Sequence, residues 1–188
     1  MNEKVIITAA ITGSIHTPTM SSYLPITPQA IADEAVRSYE AGAAVCHIHA
    51  RNPQTGQPTP DLNIIKEIIT SIKSRCNIVI CITTGGGFGM TVEQRVAPVS
   101  LYKPELASFN AGSMNFALFP VIPRYQSWKY EWEKQFLAMT EDFIFANTFK
   151  FFLQSREKNS FDQCTLTTTR NPGNYGKTLQ WKSDVYVL

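Results

Sequence analysis

Short β-branched apolar runs alternate with segments of helical periodicity along the first 110 residues, and that alternation leaves few folds open. Val5 to Ile11 is almost continuously apolar, the pattern of a strand covered on both faces of a parallel sheet. Thr27-Pro28 then supplies an N-cap and a proline at the first helical position. Ala30, Ile31, Ala35 and Val36 follow at helical spacing until Gly42 offers a stop, which predicts a helix over 28–41. The unit repeats, with Ala43 to Ala50 as a second strand and Leu62, Ile65, Ile68, Ile69 and Ile72 on one face of a second helix. Asn77 to Thr83 reads as a third strand, Thr91 with Gln94 as a capping box for a short helix, and Glu105 to Asn110 as a fourth strand. Such a chain builds α/β structure around a parallel sheet, either an open doubly wound sheet or a (β/α)8 barrel.

In both architectures function gathers at the C-terminal ends of the strands, and the polar groups of this chain fall there. Thr12 and Gly13 follow the first strand, His47 and His49 end the second, Thr83 to Gly87 follow the third, and Ser108 to Gly112 follow the fourth. Residues two apart in a strand point to the same side, so His47 and His49 can share one metal ion. The other reading is two core histidines satisfied by hydrogen bonds. A catalytic zinc normally takes three protein ligands and keeps an open position, so the pair supplies part of a site. His16, the only other histidine, joins it only if the first loop folds over.

The run Thr83-Thr84-Gly85-Gly86-Gly87 lets backbone N–H groups approach a phosphate or carboxylate, although it matches neither a Walker loop nor a dinucleotide fingerprint and also suits a plain tight turn. Hydroxyls and amides in Ser108-Phe109-Asn110 can orient a carbonyl or carboxylate, or simply cap the strand end. Arg51, just after the histidines, can bind an anion; pairing at the surface is the preferred reading.

A chain of 188 residues with 44% hydrophobic and 17% charged content can bury a core. A net charge of +2, without a basic block, gives no reason to expect nucleic acid. No apolar stretch reaches the roughly 20 residues of a membrane helix, and Met1-Asn2-Glu3-Lys4 leads directly into a strand-like segment, so no membrane partner and a cytoplasmic location are expected. Cys46, Cys76, Cys81 and Cys164 lack disulfide or CxxC spacing, which favours reduced thiols. The aromatics between Pro120 and Lys150, among them Trp128, Trp132, Phe136 and Phe145, read as packing or a subunit contact rather than a ligand cage. From Phe151 onward only Asp184 to Leu188 resembles a strand.

Taken together, Thr8-Ala9-Ala10-Ile11-Thr12-Gly13, Leu24-Pro25-Ile26-Thr27-Pro28, His47-Ile48-His49-Ala50-Arg51, Thr83-Thr84-Gly85-Gly86-Gly87 and Asn110-Ala111-Gly112-Ser113-Met114-Asn115-Phe116 give a chain that strongly resembles the beta-keto acid cleavage enzyme family, typified by 3-keto-5-aminohexanoate cleavage enzyme. The resemblance implies a zinc-dependent (β/α)8 barrel in which a beta-keto acid and acetyl-CoA give acetoacetate and a new acyl-CoA. It implies His47 and His49 as zinc ligands, with Thr83, Gly86, Ser108 and Asn110 at substrate-holding positions. The metal would polarise the keto acid.

The resemblance runs to about Lys150. The carboxylate ligand, arginine and acidic residue that the family draws from a late strand have no counterpart here, and residues 151–188 read as a divergent tail. The expectation is therefore an incomplete barrel of about four to five βα units over residues 1–150, from a truncation or a frame change near Lys150. The family's acidic residue in the first loop is replaced by Ser14, Ile15 and His16, which does not suit an amine-bearing substrate. A partial barrel would leave strand edges uncovered and favour homo-oligomers. The alternatives to an enzyme are a non-catalytic fragment, with or without residual zinc binding, and an anion-binding module that works without metal.

Overall fold

The computed structural model describes residues 5–87, 89–110, 112–150 and 164–167. Its main sheet holds five parallel strands: β1 (Thr8–Ala10), β2 (Val45–Ile48), β3 (Val79–Ile82), β4 (Leu106–Asn110) and β7 (Cys164–Thr167). They lie side by side in chain order, β1-β2-β3-β4-β7. A doubly wound sheet reverses its order at a switch point, whereas a barrel adds each strand beside the last. The uninterrupted order is that of a (β/α)8 barrel, here as a partial wall.

The crossovers are α1 (Pro28–Glu40), α2 (Leu62–Lys73) and α3 (Val92–Tyr102). Each begins at a side-chain cap. Thr27 Oγ1 accepts from Ala30 N, Asp61 accepts from Asn63 N and Ile64 N, and Thr91 with Gln94 forms the expected reciprocal box. α1 packs on α2 and α2 on α3, so the helices form one layer. Ile31 and Ala35 of α1, Ile65, Ile68 and Ile72 of α2, and Val99 of α3 bury against Cys46, Ile48, Ile80, Ile82 and Ala107 of the sheet. Alternate strand residues face this core, which leaves His47, Cys81 and Ser108 pointing to the other, concave side.

Two expectations change. The first run forms only a three-residue strand, with Val5, Ile6 and Ile7 82%, 51% and 57% exposed. β1 is the edge of the sheet among the described residues, none of which covers its outer flank, and continuous apolarity does not report burial there. The tail contributes β7, which pairs in parallel with β4 from Ala107↔Cys164 to Asn110↔Thr167, although its surroundings are rich in Thr, Asn and Gly. Threonine favours strands, and that offsets the turn-like composition. The strand expected at Asp184 to Leu188 lies outside the described residues, and for Cys164 only the strand it belongs to is described.

Beyond β4, Met114–Asn115 (β5) and Ile144–Phe145 (β6) form a small antiparallel ladder, and α4 (Glu131–Ala138) lies between them. α4 is fastened to the loops above the sheet. The fully buried Glu133 accepts from Thr19 N at 2.9 Å, Thr19 Oγ1 at 3.0 Å and Tyr130 N at 2.9 Å. Trp132 Nε1 donates to Thr55 O at 3.0 Å while its ring meets Phe136 edge to face. The aromatics here do pack, as expected, except that Phe149 is 89% exposed. Glu133→Gln turns an amide donor toward groups that themselves donate, and is expected to lower the unfolding free energy by about 2–3 kcal/mol in urea titrations.

Candidate metal and substrate site

The end of β2 is held from both sides. Ile11 N donates to His47 O at 3.1 Å, and Thr12 Oγ1 both donates to His49 O at 3.1 Å and accepts from His49 N at 3.0 Å. On the other flank Thr83 N donates to Ile48 O at 3.3 Å. With the backbone fixed this way, the two imidazoles converge, and His47 Nε2 stands 3.1 Å from His49 Nε2. Two nitrogens bound to one tetrahedral zinc at ~2.0–2.1 Å stand about 3.3 Å apart, so the pair fits a shared ion with little movement.

Cys81, the register partner of His47 on β3, places Sγ 3.4 Å from His47 Nδ1. With its proton on Nδ1, directed at that sulfur, His47 presents an Nε2 lone pair that can accept a hydrogen bond from His49 Nε2 or bind a metal. The buried Nδ1 of His49 has no hydrogen-bond partner among the described residues. Burial pulls the pKa of His47 down. Burial, then the charges of His47 and Arg51, hold His49 well below the ordinary histidine range. Both rings therefore favour the neutral form that binds metal. Burial also lifts the Cys46 thiol, on the core side, to about 12.

One open cavity of about 260 Å³ is bordered by Thr83, Gly86, Ser108 and Asn110 beside the two histidines. His16 lies on the same rim, so the first loop does fold over. It does not complete a metal site. Among the described residues no three His, Cys, Asp or Glu side chains are grouped to hold an ion. The glycine loop is partly self-satisfied, since Gly85 N donates to Thr83 Oγ1 at 2.9 Å and Gly87 N to Met90 Sδ at 3.1 Å. Ser108 Oγ accepts from Thr84 N at 3.3 Å and keeps its own hydrogen for donation.

Gly86 sits at φ +56°, and a Cβ there would stand 2.7 Å from Met90 Sδ and 3.3 Å from Arg95 Cγ. Gly86→Ala is expected to cost about 1–3 kcal/mol of stability, read from the shift in its thermal or urea midpoint.

The preferred reading of Arg51 as a surface residue is overturned. Its side chain is fully buried, donating to Gly56 O and Gly13 O at 2.7 Å and to His16 O at 2.9 Å. The loop carbonyls need a donor that reaches three of them at once, and a guanidinium has the required fork. The sequence reading also passed over Arg95. That side chain leaves α3 to donate to Thr84 O at 2.7 Å and Ala146 O at 2.9 Å, bonds Asn147, and lies 4.2 Å above the ring of Phe145. Burial lowers its pKa to about 10. Phe145 and its neighbour Phe116 wall the cavity. Cys81 was open to discovery by strand parity with Thr83, whereas the reach of Arg95 from a helix leaves no periodic signal.

The chain thus forms a parallel α/β wall with two converging histidines and polar strand ends, and comparison with known proteins gives the family. The family model described as beta-keto acid cleavage enzyme matches residues 4–159, and the chain belongs to that family. It is 50% identical over 146 residues to 3,5-dioxohexanoate:acetyl-CoA acetone transferase of Paraburkholderia graminis, covering 78% of this chain and 47% of that protein. It is 36% identical over 138 residues to 3-dehydrocarnitine:acetyl-CoA trimethylamine transferase of Rhizobium meliloti, covering 63% and 46%. With 3-keto-5-aminohexanoate cleavage enzyme of Acetoanaerobium sticklandii it shares 44% identity over 115 residues, covering 61% and 41%. The chain thus spans about half the length of the curated relatives it matches.

Proposed function

We propose that this chain carries the metal-binding and substrate-holding end of a zinc-dependent beta-keto acid cleavage enzyme. In the reaction, a beta-keto acid and acetyl-CoA give acetoacetate and a new acyl-CoA. The observation that carries the reading is the convergence of His47 Nε2 and His49 Nε2 in a cavity that Thr83, Gly86, Ser108 and Asn110 also line. His47 and His49 hold the ion, which when bound supplies Lewis-acid polarisation of the substrate oxygens. Ser108 donates its hydroxyl hydrogen to a substrate carboxylate or carbonyl, and the Asn110 amide presents a second donor from the same strand end. The glycine at 86 keeps side-chain bulk out of the space that the carboxylate needs.

Reduced thiols at Cys46, Cys76 and Cys81 and the use of acetyl-CoA suit a cytoplasmic setting. Among the described residues no helix is long and apolar enough to cross a membrane. The uncovered β1 edge with exposed Val5, Ile6 and Ile7 supports self-association. A second reading, zinc binding without turnover, is favoured by one observation: no third ligand joins the histidines among the described residues. Zinc content of the purified protein, followed by acetoacetate formation from acetyl-CoA and a panel of beta-keto acids, separates the two. Stoichiometric zinc with turnover establishes the first reading. Bound zinc without turnover establishes the second reading, and a metal-free, inactive protein overturns both.

A further inference from the structure

Resting on the proposed function, we infer that Arg95 is a positioning residue, which fixes the span between the glycine wall and the aromatic wall of the cavity and so sets the affinity for the acid without touching it. Thr83, Gly85 and Gly86 border the cavity of about 260 Å³ on one side, and Phe116 with Phe145 borders it on another. These walls come from separate sheets. The glycine loop follows β3 of the main sheet, whereas Phe145 sits on β6, which pairs with β5 in a two-stranded ladder of its own. Strand pairing among the described residues therefore does not set the distance between them. Arg95 does. It leaves α3 beneath the loop, where a Cβ on Gly86 would stand 3.3 Å from its Cγ. Its Nε donates to Thr84 O at 2.7 Å, the carbonyl of the peptide that opens the Gly85-Gly86-Gly87 run. Its Nη1 donates to Ala146 O at 2.9 Å and its Nη2 to the Asn147 side chain, just past Phe145. The guanidinium carbon lies 4.2 Å from the centroid of the Phe145 ring.

One planar group thus grips both walls, Nε on the first and the two Nη on the second, with its flat face against the ring. Asn147 is also tied to Ser113 Oγ and Gly112 O, but neither bond reaches the glycine loop. The Arg95 side chain is buried and is not among the residues that border the cavity, so it acts on a ligand through Thr84, Gly86 and Phe145. Three successive glycines carry more backbone freedom than other residues, and a ligand that must order them binds more weakly. Anchoring Thr84 O to a buried, charged donor orders the loop before the acid arrives. Fixing the backbone of a single residue is worth ~10-fold in affinity. Lysine cannot reproduce the arrangement, because one ammonium reaches one wall at a time and has no flat face for the ring. The histidines are held independently, since the bonds from Ile11, Thr12 and Thr83 that fix the end of β2 do not involve Arg95.

Calorimetric titration of the zinc-loaded chain with 3-oxohexanoate, a plain beta-keto acid, tests this beside zinc affinity from chelator competition, with circular dichroism to check folding. Arg95→Met is expected to weaken acid binding at least ~10-fold while zinc affinity changes less than ~3-fold. Arg95→Lys should recover only part of the lost acid affinity. In a Phe145→Leu background Arg95→Met should cost at least ~3-fold less than in the wild type, because the ring through which it acts is gone. A smaller loss of acid affinity, an equal loss of zinc affinity, full recovery in Arg95→Lys, or an undiminished cost in the Phe145→Leu background each overturns the inference and leaves the proposed function standing. If Arg95→Met does not fold, Arg95→Lys decides by the same two affinities: a loss of acid binding of at least ~3-fold with zinc affinity kept supports the inference, and anything less overturns it. Failure of the wild-type chain to bind the acid overturns the proposed function and the inference together.

Discussion

Arg51→Met is expected to lower the unfolding free energy by about 3–5 kcal/mol, one of the largest effects available in this chain. The guanidinium is fully buried and satisfies three backbone carbonyls, Gly13 O and His16 O in the loop after β1 and Gly56 O in the loop after β2. Methionine fills much of the volume but donates nothing. Each carbonyl is then left in the interior at a cost of about 1–3 kcal/mol, reduced by whatever water enters. Arg51→Lys should recover only part of the loss, because a single ammonium lacks the planar fork that spans two loops. Urea unfolding with an unchanged slope is the measurement. A loss below about 1 kcal/mol would show that the loops are held by other means. Because the rim of the cavity hangs on the same side chain, ligand affinity should fall along with stability.

His47→Ala should weaken zinc binding by at least ~100-fold, measured by competition with a chromogenic chelator. Loss of a mere supporting partner already costs ~10–100-fold at metal sites, and here one of two converging donors is removed. His49→Ala should do the same, and the double variant should be little worse than either single one, since one imidazole cannot hold the ion alone. Zinc should raise the melting temperature of the wild-type chain and leave that of His47→Ala unchanged, because only a folded state with both rings binds it. If the histidines serve the core alone, zinc alters neither melting temperature.

The alternation of strands and helices, the helix starts at Thr27 and Thr91, and the grouping of polar residues at strand ends are all local in sequence. They depend on the period of the apolar residues and on caps within three residues, and physical periodicity exposes such features directly. The boundaries of β1 were less legible, because a run as apolar as Val5-Ile6-Ile7 looks the same whether another strand covers it or not. Whether the sheet follows barrel order or reverses was likewise undecidable from alternation, since both folds use the same βα units.

The site divides in the same way. That His47 and His49 face one side follows from strand parity. Their 3.1 Å approach, the sulfur of Cys81 beside one ring, and the buried lone nitrogen of the other depend on how β1 and β3 flank β2. Arg51 shows the limit most clearly, because a charged residue after a strand suggests solvent, and only the convergence of two loops supplies the three carbonyls that bury it.

By itself, then, the sequence determined the repeating βα architecture, the caps, and the strand ends where chemistry gathers, through patterns set by backbone geometry a few residues at a time. Tertiary structure decided the barrel order, the convergence of the imidazoles, and the assignment of Arg51 and Arg95 to loop carbonyls rather than to ligands. Those outcomes depend on contacts between residues distant in the chain, and no local period encodes such contacts.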